Sequence, residues 1–239
     1  MPTIQTSCVL KTLSCLIISI SSFAQPAPVD TSHSLPATRA AIFYQSYVGP
    51  DAAIYNGYAY QPRYQGLQGS PYFLTENLTE ASLIYEGLSY IHIPLLYNQL
   101  LDEAIISNPA GELIALSGDR LQQFTYSGHT FIHLNKGTPA GYYEVLRSGY
   151  TSLLVRHKKK IVEKIEFGDL HHYIDAGEEY YLGKQTRYYP IDSENSLLNL
   201  LGDKKKELGQ FLKAQNIRFK KDRETAMTEI IDYYNQLPH

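Results

Sequence analysis

Between Ala81 and Phe167 the chain breaks about every ten residues, and the breaks carry glycine. They fall near Gly87, Pro109-Ala110-Gly111, Gly118-Asp119, Gly128, Gly137 to Gly141 and Gly149, and the segments between them are rich in Ile, Val, Thr, Tyr and Phe. Branched and aromatic side chains suit a pleated, half-buried surface, and glycine suits tight turns, so this rhythm predicts consecutive antiparallel strands. Glu86-Gly87 and Ser127-Gly128 are the expected two-residue turns. Alternation within the segments is leaky. Phe124 and Tyr126 fall opposite Gln123 and Thr125, whereas Thr130, Ile132 and Leu134 oppose His129, Phe131 and His133. Apolar residues on both faces predict a sheet covered in part on two sides. The 21 tyrosines, against 8 Phe and no Trp, suit half-buried sheet faces, where the ring packs and the hydroxyl stays wet.

Further along, the pattern runs from Thr151 to Phe167 with an interruption at His157-Lys158-Lys159-Lys160, and a last hairpin turns at Gly183-Lys184-Gln185. The period then changes to that of helices. Ser193 caps a first helix with Leu197, Leu198, Leu200 and Leu201, which Gly202 ends. Asp203 is the expected cap of a second, carrying Leu208, Phe211 and Leu212 opposite Lys204-Lys205-Lys206. Asn216 is the expected left-handed terminator. Asp222 caps a third, with Ala226, Ile230, Tyr233 and Leu237 on one stripe and Pro238 closing it. The last two helices read as an αα-hairpin docked on the sheet. The fold class is therefore α+β: an antiparallel β-meander, curved or partly closed as a barrel, followed by three C-terminal helices.

Upstream of the sheet, residues 1–24 read as a secretory signal peptide. Lys11 is their only charge, an apolar stretch runs from Leu13 to Phe23, and Ser22-Phe23-Ala24 places small residues at −3 and −1 for a cut before Gln25. Half the length needed to span a bilayer, this stretch is too short for an anchor. Cys8 and Cys15 both lie within it, so the mature chain has no cysteine and folds on burial alone. Cys15 is not read as a lipoprotein acceptor, because Leu16-Ile17-Ile18 continue the apolar stretch beyond it. Losing Lys11 takes the charge from 21 − 24 = −3 to 20 − 24 = −4, which gives no argument for nucleic acid or an anionic membrane. Residues 25–39, with Pro26, Pro28 and Pro36, read as a flexible lead, and 40–239 as a single domain with its sheet in 54–191 and its helices in 193–237. Within it, 40–48 reads as a short helix or first strand, and Asn56-Gly57 as a tight turn or part of a strand.

Several stretches taken together resemble a family of exported Bacteroidota proteins of uncharacterised function. They are Tyr55-Asn56-Gly57, Gly69-Ser70-Pro71-Tyr72-Phe73, Tyr85-Glu86-Gly87, Ile93-Pro94-Leu95-Leu96-Tyr97-Asn98, Gly128-His129-Thr130-Phe131, Gly141-Tyr142-Tyr143-Glu144-Val145-Leu146, and the end from Lys204-Lys205-Lys206-Glu207-Leu208 to Asn216-Ile217-Arg218-Phe219-Lys220-Lys221. The resemblance covers 54–237 and implies an export route and one shared architecture. It supplies no catalytic residue.

Chemistry-bearing groups are sparse. His129 and His133 share a strand face about 13 Å apart, too far for one metal, though His92 or His171-His172 can approach in space. HExxH, a facial triad, G-x-S-x-G, S-x-x-K, a P-loop and G-x-G-x-x-G are all absent from the sequence. Asp102-Glu103 and Glu178-Glu179 are paired carboxylates, the latter after an expected Asp175-Ala176-Gly177 turn that makes them a solvated loop. His157 to Lys160 and Lys204 to Lys206 read as solvated basic clusters. No catalytic, cofactor or metal residue is assigned, and no cofactor is expected. The expected function is that of an exported, non-catalytic envelope protein, periplasmic or at the cell surface, that binds another envelope component and has no transmembrane span after cleavage. The alternative is a carrier or sensor of a small apolar ligand held between curved sheet and helices. A hydrolase using His129 or His133 with a carboxylate is a more distant third.

Overall fold

The structure, a computed structural model, describes residues 39–40, 42–44, 48–49, 52–62 and 64–238. The expected signal peptide, residues 1–24, and most of the expected flexible lead lie outside the described residues. Of the 40–48 stretch, residues 40, 42–44 and 48 are helical.

Twelve strands form one sheet: β1 (Tyr58–Ala59), β2 (Leu67–Gln68), β3 (Thr79–Tyr85), β4 (Leu88–Asn98), β5 (Glu103–Ser107), β6 (Leu113–Ala115), β7 (Leu121–Tyr126), β8 (His129–Leu134), β9 (Gly141–Arg147), β10 (Thr151–Glu166), β11 (Asp169–Lys184) and β12 (Arg187–Ile191). Their order is β1-β6-β5-β4-β3-β7-β8-β9-β10-β11-β12, with β2 added in parallel to β11 at His172 and Tyr173. The sheet is thus open and mixed, and the expected partial barrel is corrected: the order runs from β1 to β12 and does not return. Nor is the meander continuous. After β6 the chain passes back to pair β7 with β3. Three-residue β6 already holds β5 and β1 on its two edges, whereas seven-residue β3 offers a long open one.

The expected turns form as mirror-image hairpins. Glu86-Gly87 has φ of 51° and 78° and Ser127-Gly128 50° and 85°; a third turn of this kind, Phe167-Gly168 with 53° and 91°, is not among the expected ones. Asn56-Gly57 is not such a turn. A short 3₁₀ segment, Ala53–Tyr55, precedes it, and glycine is required there because a Cβ would sit 2.5 Å from the Ala115 carbonyl oxygen.

Two further readings need correction. β10 runs unbroken through His157–Lys160, and β11 runs unbroken through Asp175–Gly177. Pairing overrides the local signals, because the two 16-residue strands are in register from Thr151↔Lys184 to Glu166↔Asp169. Lys158 pairs with Glu179 at 2.6 Å and Lys160 with Asp175 at 3.1 Å across that ladder.

Three helices follow: α1 (Glu194–Leu200), α2 (Lys205–Ala214) and α3 (Arg223–Gln236). Ser193 and Asp222 cap α1 and α3 through side chains that accept from Ser196 N and Thr225 N, each at 3.1 Å. Asn216 takes the left-handed conformation. Asp203 does not cap α2. A 3₁₀ turn, Gly202–Lys204, delays the helix start, and the Asp203 carboxylate instead accepts from the Tyr234 hydroxyl at 3.1 Å and from Lys184 at 3.4 Å. The buried stripe of α3 is Ala226, Met227, Ile230, Ile231 and Tyr234, while Tyr233 stacks on Phe211 of α2 at 4.2 Å.

One face of the sheet carries two apolar cores. The first gathers Leu83, Tyr97, Phe124, Phe131 and Tyr142 with Phe73, which enters from the loop before β3; Phe124 and Phe131 stack at 4.8 Å. The second joins Leu153, Val155, Tyr180 and Leu182 to the helices. On the opposite face, Tyr143, Leu154 and Tyr181 form one small cluster, and Tyr60, Tyr72, Leu96 and Ile105 form another. Both faces are apolar, as the leaky alternation implies.

Candidate functional site

Between the two cores the same face turns polar. The β10–β11 ladder places Leu153 with Leu182, Val155 with Tyr180 and His157 with Glu178, successive pairs on one side of the sheet. His157 is therefore the next inward residue after the helix-covered core. On β9 the inward residues are Tyr142, Glu144 and Leu146, so Glu144 stands between the cores as well. His129, at the start of β8, stands beside it.

Glu144 is buried, and each of its carboxylate oxygens takes one imidazole. His129 Nδ1 lies 2.5 Å from Oε1 and His157 Nε2 lies 2.6 Å from Oε2. Burial pushes the Glu144 carboxyl up. The hydrogen bonds from His157 and His129, with their charges, more than reverse this and hold it below its ordinary value. The other nitrogen of His157, Nδ1, stands 3.5 Å from Glu178 Oε1. Glu178 also accepts from the Tyr180 hydroxyl at 2.5 Å, and that hydroxyl lies 3.1 Å from Glu224 of α3. Burial first, and the two carboxylates next, raise the Tyr180 phenol well above its ordinary range. Phe73 caps the cluster, its ring 5.0 Å from that of His129 and 5.4 Å from that of His157.

Over this cluster lies a cleft of about 580 Å³, lined also by Leu74, Gln99, Ala176 and Gly177. A neighbouring hollow of about 390 Å³ shares Gln99, His157, Lys158, Ala176 and Gly177 with it and extends along Arg156–Lys160 to Asp102. Leu74 is mostly exposed at the rim with φ of 56°, a conformation that costs a bulky side chain of order 1–2 kcal/mol. The loop that carries Asp102 is fixed from below: Asp102 accepts from the Tyr97 hydroxyl at 2.6 Å and from Tyr142 N at 3.3 Å, and pairs with Arg156 at 3.4 Å. Asn98, fully buried, donates to the hydroxyls of Tyr60 and Tyr64 and accepts from Leu100 N and Leu101 N.

The sequence candidates separate in space. His129 joins the cluster, while His133 packs its ring against Tyr142 at 5.1 Å. His92 pairs with exposed Glu80, His172 with Glu163, and His171 lies 3.4 Å from Gln68. Glu178 faces the cleft, whereas Glu179 is held below its ordinary value by Lys158. Asp102 serves the loop, and burial raises the carboxyl of Glu103. The lysines of α2 stay apart from the cleft. Among the described residues no group of three or more His, Cys, Asp or Glu has the arrangement to hold a metal, and no helix is long and apolar enough to cross a membrane.

His157 and Glu144 escaped the sequence reading. Glu144 was visible as the lone acid among the inward positions Tyr142 and Leu146. His157 was visible only if β10 is taken as unbroken, because alternation from Leu153 and Val155 then turns it inward.

Comparison with protein-family models, with curated proteins and with solved structures finds no match to this chain.

Proposed function

We propose that this chain is an exported, non-catalytic envelope protein that binds another envelope component in the cleft above Glu144. Export rests on the signal-like residues 1–24 and on the resemblance to exported proteins. The cleft carries the binding reading: about 580 Å³ of open volume between two packed cores, floored by a fixed polar cluster. A non-catalytic role fits the way its side chains are used. Each imidazole holds Glu144 through one nitrogen, Glu178 and Glu224 share the Tyr180 hydroxyl, and the lining residues include no Ser, Thr or Cys to serve as a nucleophile. A bound group meets Phe73 and Leu74 beside carboxylates, so the complementary ligand is amphipathic and hydrogen-bonding. A purely apolar ligand between sheet and helices fits less well, because Leu153, Val155, Leu182, Leu197, Ile230 and Ile231 fill that interface.

The test is a pull-down from intact envelopes with the mature protein and with Ala176→Trp, which places an indole at the mouth of both hollows. The expected result is a retained component that Ala176→Trp releases while its melting temperature stays put. Retention of nothing above background by the wild type, or equal retention by the variant, would refute the reading.

A further inference from the structure

We infer that His157 is a proton-operated latch that holds the β11 wall of the cleft. Its two nitrogens face carboxylates on the two strands that flank β10: Glu144 of β9 at 2.6 Å and Glu178 of β11 at 3.5 Å. A neutral imidazole has one N–H and one lone pair. With a single proton, His157 keeps the shorter bond to Glu144 and turns a lone pair toward Glu178. With two, it attracts both carboxylates and bridges the cleft floor to its wall.

The surroundings decide which carboxylate is released. Glu144 is buried and also held by His129 of β8, so it keeps a partner whatever the protonation of His157. The Glu178 side chain is half exposed, with Tyr180 of its own strand and Glu224 of α3 as its other neighbours, and these supply no positive charge. Of the nearby cations, Lys158 is occupied by Glu179, Arg156 by Asp102 and the Ala140 carbonyl, the inward-facing Lys159 by the Ser70 and Tyr72 carbonyls, and Arg223 of α3 by the Ile191 carbonyl, with its guanidinium 5.1 Å from the Tyr180 ring. The rings of Phe73 and Phe131 lie tilted toward that of His157, with centroids 5.4 and 6.3 Å away. Loss of the second proton therefore leaves Glu178 without its only cationic partner among the described residues. The wall around Ala176, Gly177 and Glu178 then loosens. The latch would make ligand access pH-dependent, a consequence that rests on the cleft reading, whereas the latch itself is measurable in the bare protein.

Hydrogen exchange of the unliganded mature protein at about pH 5.5 and about pH 8, corrected for intrinsic rates, reads it directly. The wild type should lose about two- to fivefold protection across 174–180 on going to the higher pH, the scale of a half-exposed ion pair. His157→Gln and Glu178→Gln should each abolish that step. Should His157→Gln fail to fold, Glu178→Gln decides alone, since its site is half exposed. A wild type without the step would overturn the inference. So would a step that persists in Glu178→Gln, which would assign it elsewhere on the hairpin, to His172 and Glu163. Because no ligand is present, failure here is distinct from failure of the binding reading.

Discussion

Replacing Glu144 by glutamine isolates the charge at the centre of the polar layer, since the side chain keeps its volume and leaves no cavity. Two hydrogen bonds to a charged acceptor, each worth about 1.5–3 kcal/mol, are replaced by a single one to a neutral amide oxygen. One imidazole N–H then faces an amide nitrogen that cannot accept. Offsetting this, the variant no longer buries a carboxylate, an expense of several kcal/mol. His129 is about one-third exposed, which weakens its share. The net loss should be about 2 kcal/mol at pH 7. For a chain of this size that corresponds to a melting temperature lower by about 4–8 °C, with a matching fall in the urea midpoint at unchanged slope. The pH dependence has a definite sign. The fold holds the carboxyl of Glu144 below its ordinary 4.5, so the carboxylate contributes stability above that value and loses the contribution as pH falls through the lowered one. The gap between wild type and Glu144→Gln should accordingly be full at pH 6–7 and narrow below about pH 4.5. A gap under about 0.5 kcal/mol at neutral pH, or one that widens toward acid, would refute the reasoning.

Other outcomes follow from single sites. Gly141→Ala puts a Cβ 2.1 Å from Asp102 Oδ2 and 2.7 Å from the Arg156 guanidinium at φ of 146°, so a loss of about 3 kcal/mol is expected in urea unfolding. Phe167→Ser, at the fully exposed tip of the β10–β11 hairpin, should change stability by less than about 0.5 kcal/mol in the same assay. If residues 1–24 are cleaved, the intact mass of the exported protein should be that of a chain beginning at Gln25; a full-length mass would contradict the export reading.

Much of the fold was legible because its signals are local. The glycine turns at 87 and 128 set hairpins, and Ser193, Asn216 and Asp222 act within one helical turn of their own positions. What stayed hidden depends on partners distant in sequence. Asp203 looks like a cap until Tyr234 and Lys184 claim it, and His157–Lys160 looks like a loop until β11 pairs with it. The jump from β6 to an edge on β3 has no local mark at all. The site was hidden for the same reason. Glu144, His157 and Glu178 lie on three strands, and only their register brings them to one polar layer between two cores.

Site-specific photo-cross-linking in intact envelopes tests the binding claim most directly, with the probe placed in turn at Leu74, at Ala176 and at Leu88, an exposed residue that lines neither hollow. The account predicts one discrete adduct shared by the two cleft positions and missing at Leu88. No adduct at either cleft position, or the same adduct from all three, would contradict it.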